Sequence, residues 1–231
     1  SLSENLTSDF EESRSIVRRF LNANSEKEII FTKGATESIN LVANSFSSLM
    51  NPGDEIIITE LEHHSNIVPW QLIKEIKDIE LKVVPINKDG SLNIDKLREF
   101  LSHKPKIVSL THVSNVLGTI LPVREIADLV HSNGSRLLVD GCQGIVHQQV
   151  DVKEMDCDFY VFSGHKMYGP NGIGILYGKQ ELLDEMPPYQ GGGDMIRNVT
   201  FSKSDWADLP AKFEAGTPPI VPAIGLGEAI K

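Results

Sequence analysis

Short apolar runs lie between segments of helical period along this chain, and no other feature restricts its fold so strongly. Ile56-Ile57-Ile58 and Leu137-Leu138-Val139 offer no polar face. A strand built from either run must be covered on both sides, as in a parallel sheet with helices above and below it. Strand-like segments occupy residues 28–31, 55–59, 82–86, 107–111, 136–140, 159–163 and 174–177. Helical spacing occupies 11–21, 36–48, 67–79, 94–102 and 123–132, with a further helical run over 224–231. Pro69 stands near a helix start, where its missing N–H is harmless, Asn93 is placed to cap a helix, and Asn133-Gly134 to stop one. The expectation is a three-layer α/β fold: a mostly parallel central sheet with helices on both faces.

A chain of 231 residues allows one large domain, or a domain and a piece of another. Apolar residues at 40% and charged residues at 23% exclude wholesale disorder. Lys and Arg number 22 against 32 Asp and Glu, a formal charge of −10. With no basic run to meet phosphates, nucleic acid is not an expected partner. Two cysteines, Cys142 and Cys157, are too few for a disulfide scaffold, and reduced thiols in the cytoplasm are the expectation. No apolar stretch approaches the ~20 residues of a membrane span, and the first residues do not form a signal peptide. The chain has no starting Met, and its last helical run has no stop signal. Both ends read as cut.

Polar clusters follow five of the strands: 32–37, 62–66, 111–115, 140–143 and 163–166. In parallel sheets, chemistry gathers at the strands' carboxyl ends. The familiar phosphate loops are absent. Tyr177 stands where a Gly172-x-Gly174 dinucleotide fingerprint needs its third glycine, Ile230 does the same after Gly225 and Gly227, and no P-loop occurs. A metal site on the adjacent His63 and His64 is disfavoured, because neighbouring side chains diverge. Lys166 could trap a carbonyl as an amine nucleophile, although alone it reads as a surface lysine. Asp140 could hold a protonated ring nitrogen, or cap a helix or ligate a metal. Gly34-Ala35-Thr36 opens a helix whose N–H groups suit a phosphate, or is an ordinary cap. His63 could stack on a flat ring. Together these residues ask for one ligand carrying an aldehyde, a pyridine nitrogen and a phosphate.

Phe162-Ser163-Gly164-His165-Lys166-Met167-Tyr168-Gly169-Pro170, followed by Gly172-Ile173-Gly174, resembles the Schiff-base lysine motif of class V aminotransferase-fold enzymes. Val139-Asp140-Gly141-Cys142-Gln143 resembles their pyridinium-binding strand, and residues 31–40, 111–119 and 213–218 match as well. Glu62-His63-His64-Ser65-Asn66-Ile67-Val68-Pro69-Trp70 is similar to the SufS-type (group II) cysteine desulfurases. The resemblance spans nearly the whole chain. It implies the fold type I large domain over 1–231, without an N-terminal segment or the small C-terminal domain.

The resemblance also implies pyridoxal 5'-phosphate as cofactor. Lys166 would hold it covalently and move protons, and His63 would stack on its ring and assist proton transfer. Asp140 would pair with the ring nitrogen, with Gln143 and Asn115 near the phenolic oxygen. Thr36, the Ala35 amide, Ser163 and His165 would hold the phosphate. Thr217 would reach the neighbouring subunit's phosphate, which implies a homodimer. The implied reaction turns L-cysteine into L-alanine and passes sulfur, as a persulfide, to an acceptor protein for iron–sulfur cluster assembly. L-selenocysteine is a related substrate. Neither Cys142 nor Cys157 matches the persulfide cysteine, so this chain by itself is expected to be inactive. A selenocysteine lyase or another class V enzyme, or an inactive scaffold, are the alternatives. The wording of 62–70 favours a desulfurase, and the intact Lys166, Asp140 and His63 argue against a scaffold.

Overall fold

The computed structural model describes residues 2–231. Its elements in chain order begin α1 (Leu2–Leu21), β1 (Ile29–Thr32), α2 (Ala35–Ser47), β2 (Glu55–Thr59), α3 (Val68–Ile76) and β3 (Glu80–Val84). They continue α4 (Ile94–Leu101), β4 (Ile107–Thr111), α5 (Val123–Ser132), β5 (Arg136–Asp140), α6 (Gly144–His147) and α7 (Val152–Met155). Last come β6 (Phe159–Ser163), β7 (Gly174–Gly178), α8 (Gln180–Glu185), β8 (Ile196–Val199), β9 (Ser204–Trp206) and α9 (Ile220–Ile230).

Seven strands form one sheet in the order β1-β7-β6-β5-β4-β2-β3. The pairs β2/β3, β2/β4, β4/β5 and β5/β6 are parallel. Only β7 runs the other way, antiparallel to both β6 and β1. β1 therefore points with the parallel set, and the carboxyl ends of six strands share one edge.

The apolar runs alternate between two cores. Ile57, Val108, Leu137, Val139, Tyr160 and Phe162 pack on one face, and Ile56, Ile58, Ile107, Leu138, Phe159 and Val161 on the other. Each such side chain contributes ~1.5–3 kcal/mol when fully buried, so the two-sided covering dominates the stability of the sheet.

The expected segments are all present, with shifted ends. β3 lies two residues before the expected 82–86, because Glu80–Val84 match Glu55–Thr59 in register and Pro85 brings no N–H to the ladder. α3 stops at Ile76, where Lys77 turns extended. Asn93 caps α4 by accepting from the Lys96 N–H at 2.9 Å, and Pro69 sits in the first turn of α3. Gly134, at φ +78°, follows the end of α5.

One charged pair ties the chain's two ends to the sheet. The Arg14 guanidinium on α1 is buried and donates to both Glu214 oxygens, at 2.7 and 3.0 Å. Glu214 also accepts the Phe31 N–H of β1 at 2.7 Å, and Arg14 lies 4.4 Å over the Phe31 ring.

Candidate active site

A cavity of about 290 Å³ opens at the shared carboxyl edge of the sheet. The strands that end there deliver its chemistry. Asp140 is the last residue of β5 and is buried, and its Oδ1 accepts the Cys142 N–H at 3.0 Å. The turn after it depends on Gly141, since a Cβ there would stand 2.1 Å from the Tyr160 ring. The Tyr160 hydroxyl in turn lies 3.0 Å from His112 Nδ1.

Lys166 follows β6 on a single 3-10 turn, Gly164–Met167, and is half-buried at the cavity wall. His63 follows β2. Its Nδ1 accepts the Ser65 N–H at 3.2 Å and lies 2.9 Å from the Ser65 hydroxyl. An N–H donor requires a bare Nδ1, so the ring's own N–H sits at Nε2.

Helix α2 begins at the cavity wall with Ala35 and Thr36, and Gly34 gives it no side-chain cap. A helix N-terminus without a cap leaves N–H groups and a partial positive charge for an anion. The expectation that the Ala35 amide itself faces the anion is modified. That N–H donates to Ser163 Oγ at 2.9 Å, which leaves the Ser163 hydroxyl hydrogen free to point outward. Strand β7 lies close against this turn. A Cβ on Gly174 would stand 2.3 Å from Gly34 Cα, so only glycine fits.

Nine of the ten expected site residues line this one cavity: Ala35, Thr36, His63, Asn115, Asp140, Gln143, Ser163, His165 and Lys166. His64 does not, and its ring centroid is 5.8 Å from that of His63. Thr217 lies apart, in a second cavity of about 170 Å³ with Lys33, Glu37 and Tyr189.

Ser65, Thr111, Val113 and Cys142 also line the first cavity, and sequence reasoning gave them no role there. In the sequence Glu62 stands out only as the first residue of the 62–70 motif. It proves to be a buried carboxyl whose burial pushes its pKa up to about 8, against the pull of three hydrogen-bond donors. Burial, with Asp140 adjacent, raises the Cys142 thiol far above its ordinary range. Cys157 is wholly buried and raised likewise. Burial thus disfavours the thiolate, the nucleophilic form, at both.

The cavity thus joins an amine, a carboxylate, an imidazole and an anion-ready helix end. That donor set fits a phosphorylated pyridine aldehyde: the charges match its two ends, and the amine matches its carbonyl.

Comparison with known proteins covers the whole chain. The family profile described as Aminotransferase class-V matches residues 1–231. A cysteine desulfurase of Dickeya dadantii (strain 3937) is 50% identical over 232 residues, taking in 100% of this chain and 56% of that protein. The crystal structure of the Escherichia coli cysteine desulfurase CsdA, in its S-sulfonic acid form, superposes with a TM-score of 0.94 at 42% identity. It covers 98% of this chain and 57% of that one. A C-DES mutant with glycine covalently linked to its PLP cofactor superposes with a TM-score of 0.88 at 25% identity, over 99% of this chain and 60% of that one. The chain spans about half the length of the curated relatives it matches.

Proposed function

We propose, from the premise that this chain belongs to the aminotransferase class-V family, that it is the cofactor-holding part of a pyridoxal-phosphate-dependent cysteine desulfurase. The observation that carries the reading is the single cavity that brings Lys166, Asp140 and His63 to the uncapped start of α2. The names of the relatives support the reaction, and the fit of the donor set supports the cofactor.

When bound, pyridoxal phosphate supplies an electron sink for a carbanion at the substrate's Cα. The chain's residues do the rest. The Lys166 amine attaches the cofactor and moves the proton at Cα. The Asp140 carboxylate keeps the ring nitrogen protonated. His63 would stack on the ring and assist proton transfer. Asn115 and Gln143 orient the phenolic oxygen. Thr36, Ser163 and His165 hold the phosphate, with Ala35 acting through the Ser163 hydroxyl.

Neither cysteine matches the persulfide cysteine of the resembled enzymes, and burial disfavours the thiolate at both. The attacking thiolate therefore comes from elsewhere in the working enzyme and passes sulfur to an acceptor protein. The wording of 62–70 supports a SufS-type enzyme that serves iron–sulfur cluster assembly in the cytoplasm. Among the described residues, no helix is long and apolar enough to cross a membrane. Thr217, held apart from the first cavity, supports a homodimer in which it serves the partner's phosphate.

The test is the visible spectrum of the chain with pyridoxal phosphate, followed by borohydride fixation and peptide mapping. The expected result is one fixed adduct, on Lys166. L-cysteine and a reductant added to the loaded chain should give no sustained alanine or sulfide. An adduct on Lys33 or Lys153 overturns the site. Sustained alanine production lost in Cys142→Ser overturns the exclusion of that thiol.

A further inference from the structure

The residue that anchors one wall of the cavity is absent from its lining. Glu62 is buried between β2, β4 and the start of α3. Its Oε1 accepts the Thr59 hydroxyl at 2.6 Å and the Thr111 N–H at 3.0 Å, and its Oε2 accepts Asn66 Nδ2 at 2.6 Å. Asn66, fully buried, passes the connection on. Its Oδ1 accepts Trp70 Nε1 at 3.0 Å and the Ser109 hydroxyl at 2.6 Å. Between these two anchors lies the turn that carries His63. The Asn66 N–H closes it on the His63 carbonyl at 2.8 Å, and the Ser65 N–H closes it on His63 Nδ1.

We infer that Glu62 is a positioning residue, which fixes the tautomer and placement of the His63 imidazole without touching the cavity itself. From the proposed function this takes only that the cavity receives a flat cofactor. The network is complete without one: three donors converge on Glu62, which calls for the ionised carboxylate against the upward push of burial, and every donor named here then has an acceptor.

The complementarity is directional, and that makes the inference testable. A glutamine at 62 fits in neither orientation. One sets its NH₂ against the Thr111 N–H, and the other against Asn66 Nδ2. Flipping Asn66 to relieve the second leaves the Trp70 indole N–H facing a donor. In the pair Glu62→Gln with Asn66→Asp, every contact is satisfied again. The new carboxylate accepts from the glutamine NH₂, from Trp70 and from Ser109, while the glutamine carbonyl accepts from Thr59 and Thr111.

The first readout is on the cofactor-free protein: the ring ¹⁵N signals of His63, assigned by their loss in His63→Gln. The native ring should show a bare Nδ1 and a protonated Nε2. Glu62→Gln should move these signals toward the mixed tautomers of a free histidine, and the double variant should restore them. The second readout is the affinity for pyridoxal phosphate, expected to fall about tenfold in the single variant and return in the double. Should Glu62→Gln fail to fold, Thr59→Val removes a single donor and should move the His63 signals the same way by less.

Unchanged His63 signals in Glu62→Gln overturn the inference. So does a double variant that melts like the native protein but keeps the single variant's His63 signals. A native protein that shows the expected ring signals yet binds no pyridoxal phosphate overturns the proposed function and leaves the positioning role standing.

Discussion

The β5–β6 strand pair carries a buried aspartate at each end, and the two are built differently. Asp140, at the carboxyl edge, keeps one backbone partner, the Cys142 N–H, and borders the 290 Å³ cavity. Asp158, at the opposite edge, is fully buried and surrounded. Its Oδ2 accepts the Leu137 N–H at 2.7 Å and lies 2.7 Å from His131 Nε2. Its Oδ1 faces the Lys179 ammonium at 3.3 Å and the Arg136 guanidinium at 3.9 Å. A buried carboxylate must be compensated or it neutralises. At Asp158 the chain supplies the compensation itself, so the charge serves the fold. At Asp140 it supplies fewer partners and leaves space, the arrangement that the proposed function asks for. The same strand chemistry thus separates a structural edge from a functional one.

The largest expected effect tests the functional edge. Lys166→Ala should abolish the borohydride-fixed adduct in a mass spectrum, while circular dichroism and the melting temperature stay near native. Loss of the fold together with the adduct would erase the contrast. Next comes Asp140→Asn in the complete enzyme. Cofactor attachment should persist, and turnover should fall by ~10²–10³, the cost of removing one preorganised electrostatic partner. Unchanged turnover would mean that the ring nitrogen has another partner. The structural edge should behave in the opposite way. Asp158→Ala takes the shared anion from His131, Lys179 and Arg136, leaving Asp156 to face the first two, and leaves the Leu137 N–H without its acceptor. It should cost about 1–3 kcal/mol in urea unfolding, the penalty of a buried donor left unpaired, and leave adduct formation on Lys166 intact in the fraction still folded. A cost below about 1 kcal/mol would show that the cluster is dispensable.

This difference explains what was readable in the sequence. Lys166, Asp140 and His63 could be found because each ends or follows a strand, and strand ends in a parallel sheet converge. The sheet itself was legible because Ile56-Ile57-Ile58 and Leu137-Leu138-Val139 allow no solvent face. Asp158 was not singled out, because its partners lie at 131, 136 and 179 and only the folded register brings them together. The Glu62 network shares that cause: Thr59 and Asn66 are local, but Thr111 and Ser109 arrive from β4. Helices α6, α7 and α8 are four to six residues long, too short to display a period. The β8–β9 hairpin is mostly exposed and has no apolar alternation to mark it.

The smallest expected effect sharpens the comparison through pH. His131 sits between two carboxylates, with Nε2 toward Asp158 and Nδ1 3.3 Å from Asp156 Oδ2. The hydrogen bond to Asp158 raises its pKa above 6.5, against burial and the nearby Lys179. A histidine raised by folding stabilises the native state fully below its unfolded value near 6.5. That contribution disappears as pH rises through the folded value. The urea midpoint should therefore decline as pH rises from about 6.5 into the alkaline range, by an amount worth less than about 1 kcal/mol for so partly exposed a histidine. His131→Gln should lose stability at the acidic end and converge on the native protein at the alkaline end. Its affinity for pyridoxal phosphate should match the native value, because the cluster lies at the far edge of the sheet. A variant that keeps the native pH slope would assign the titration to another group, and one that loses cofactor affinity would show that the two edges are coupled.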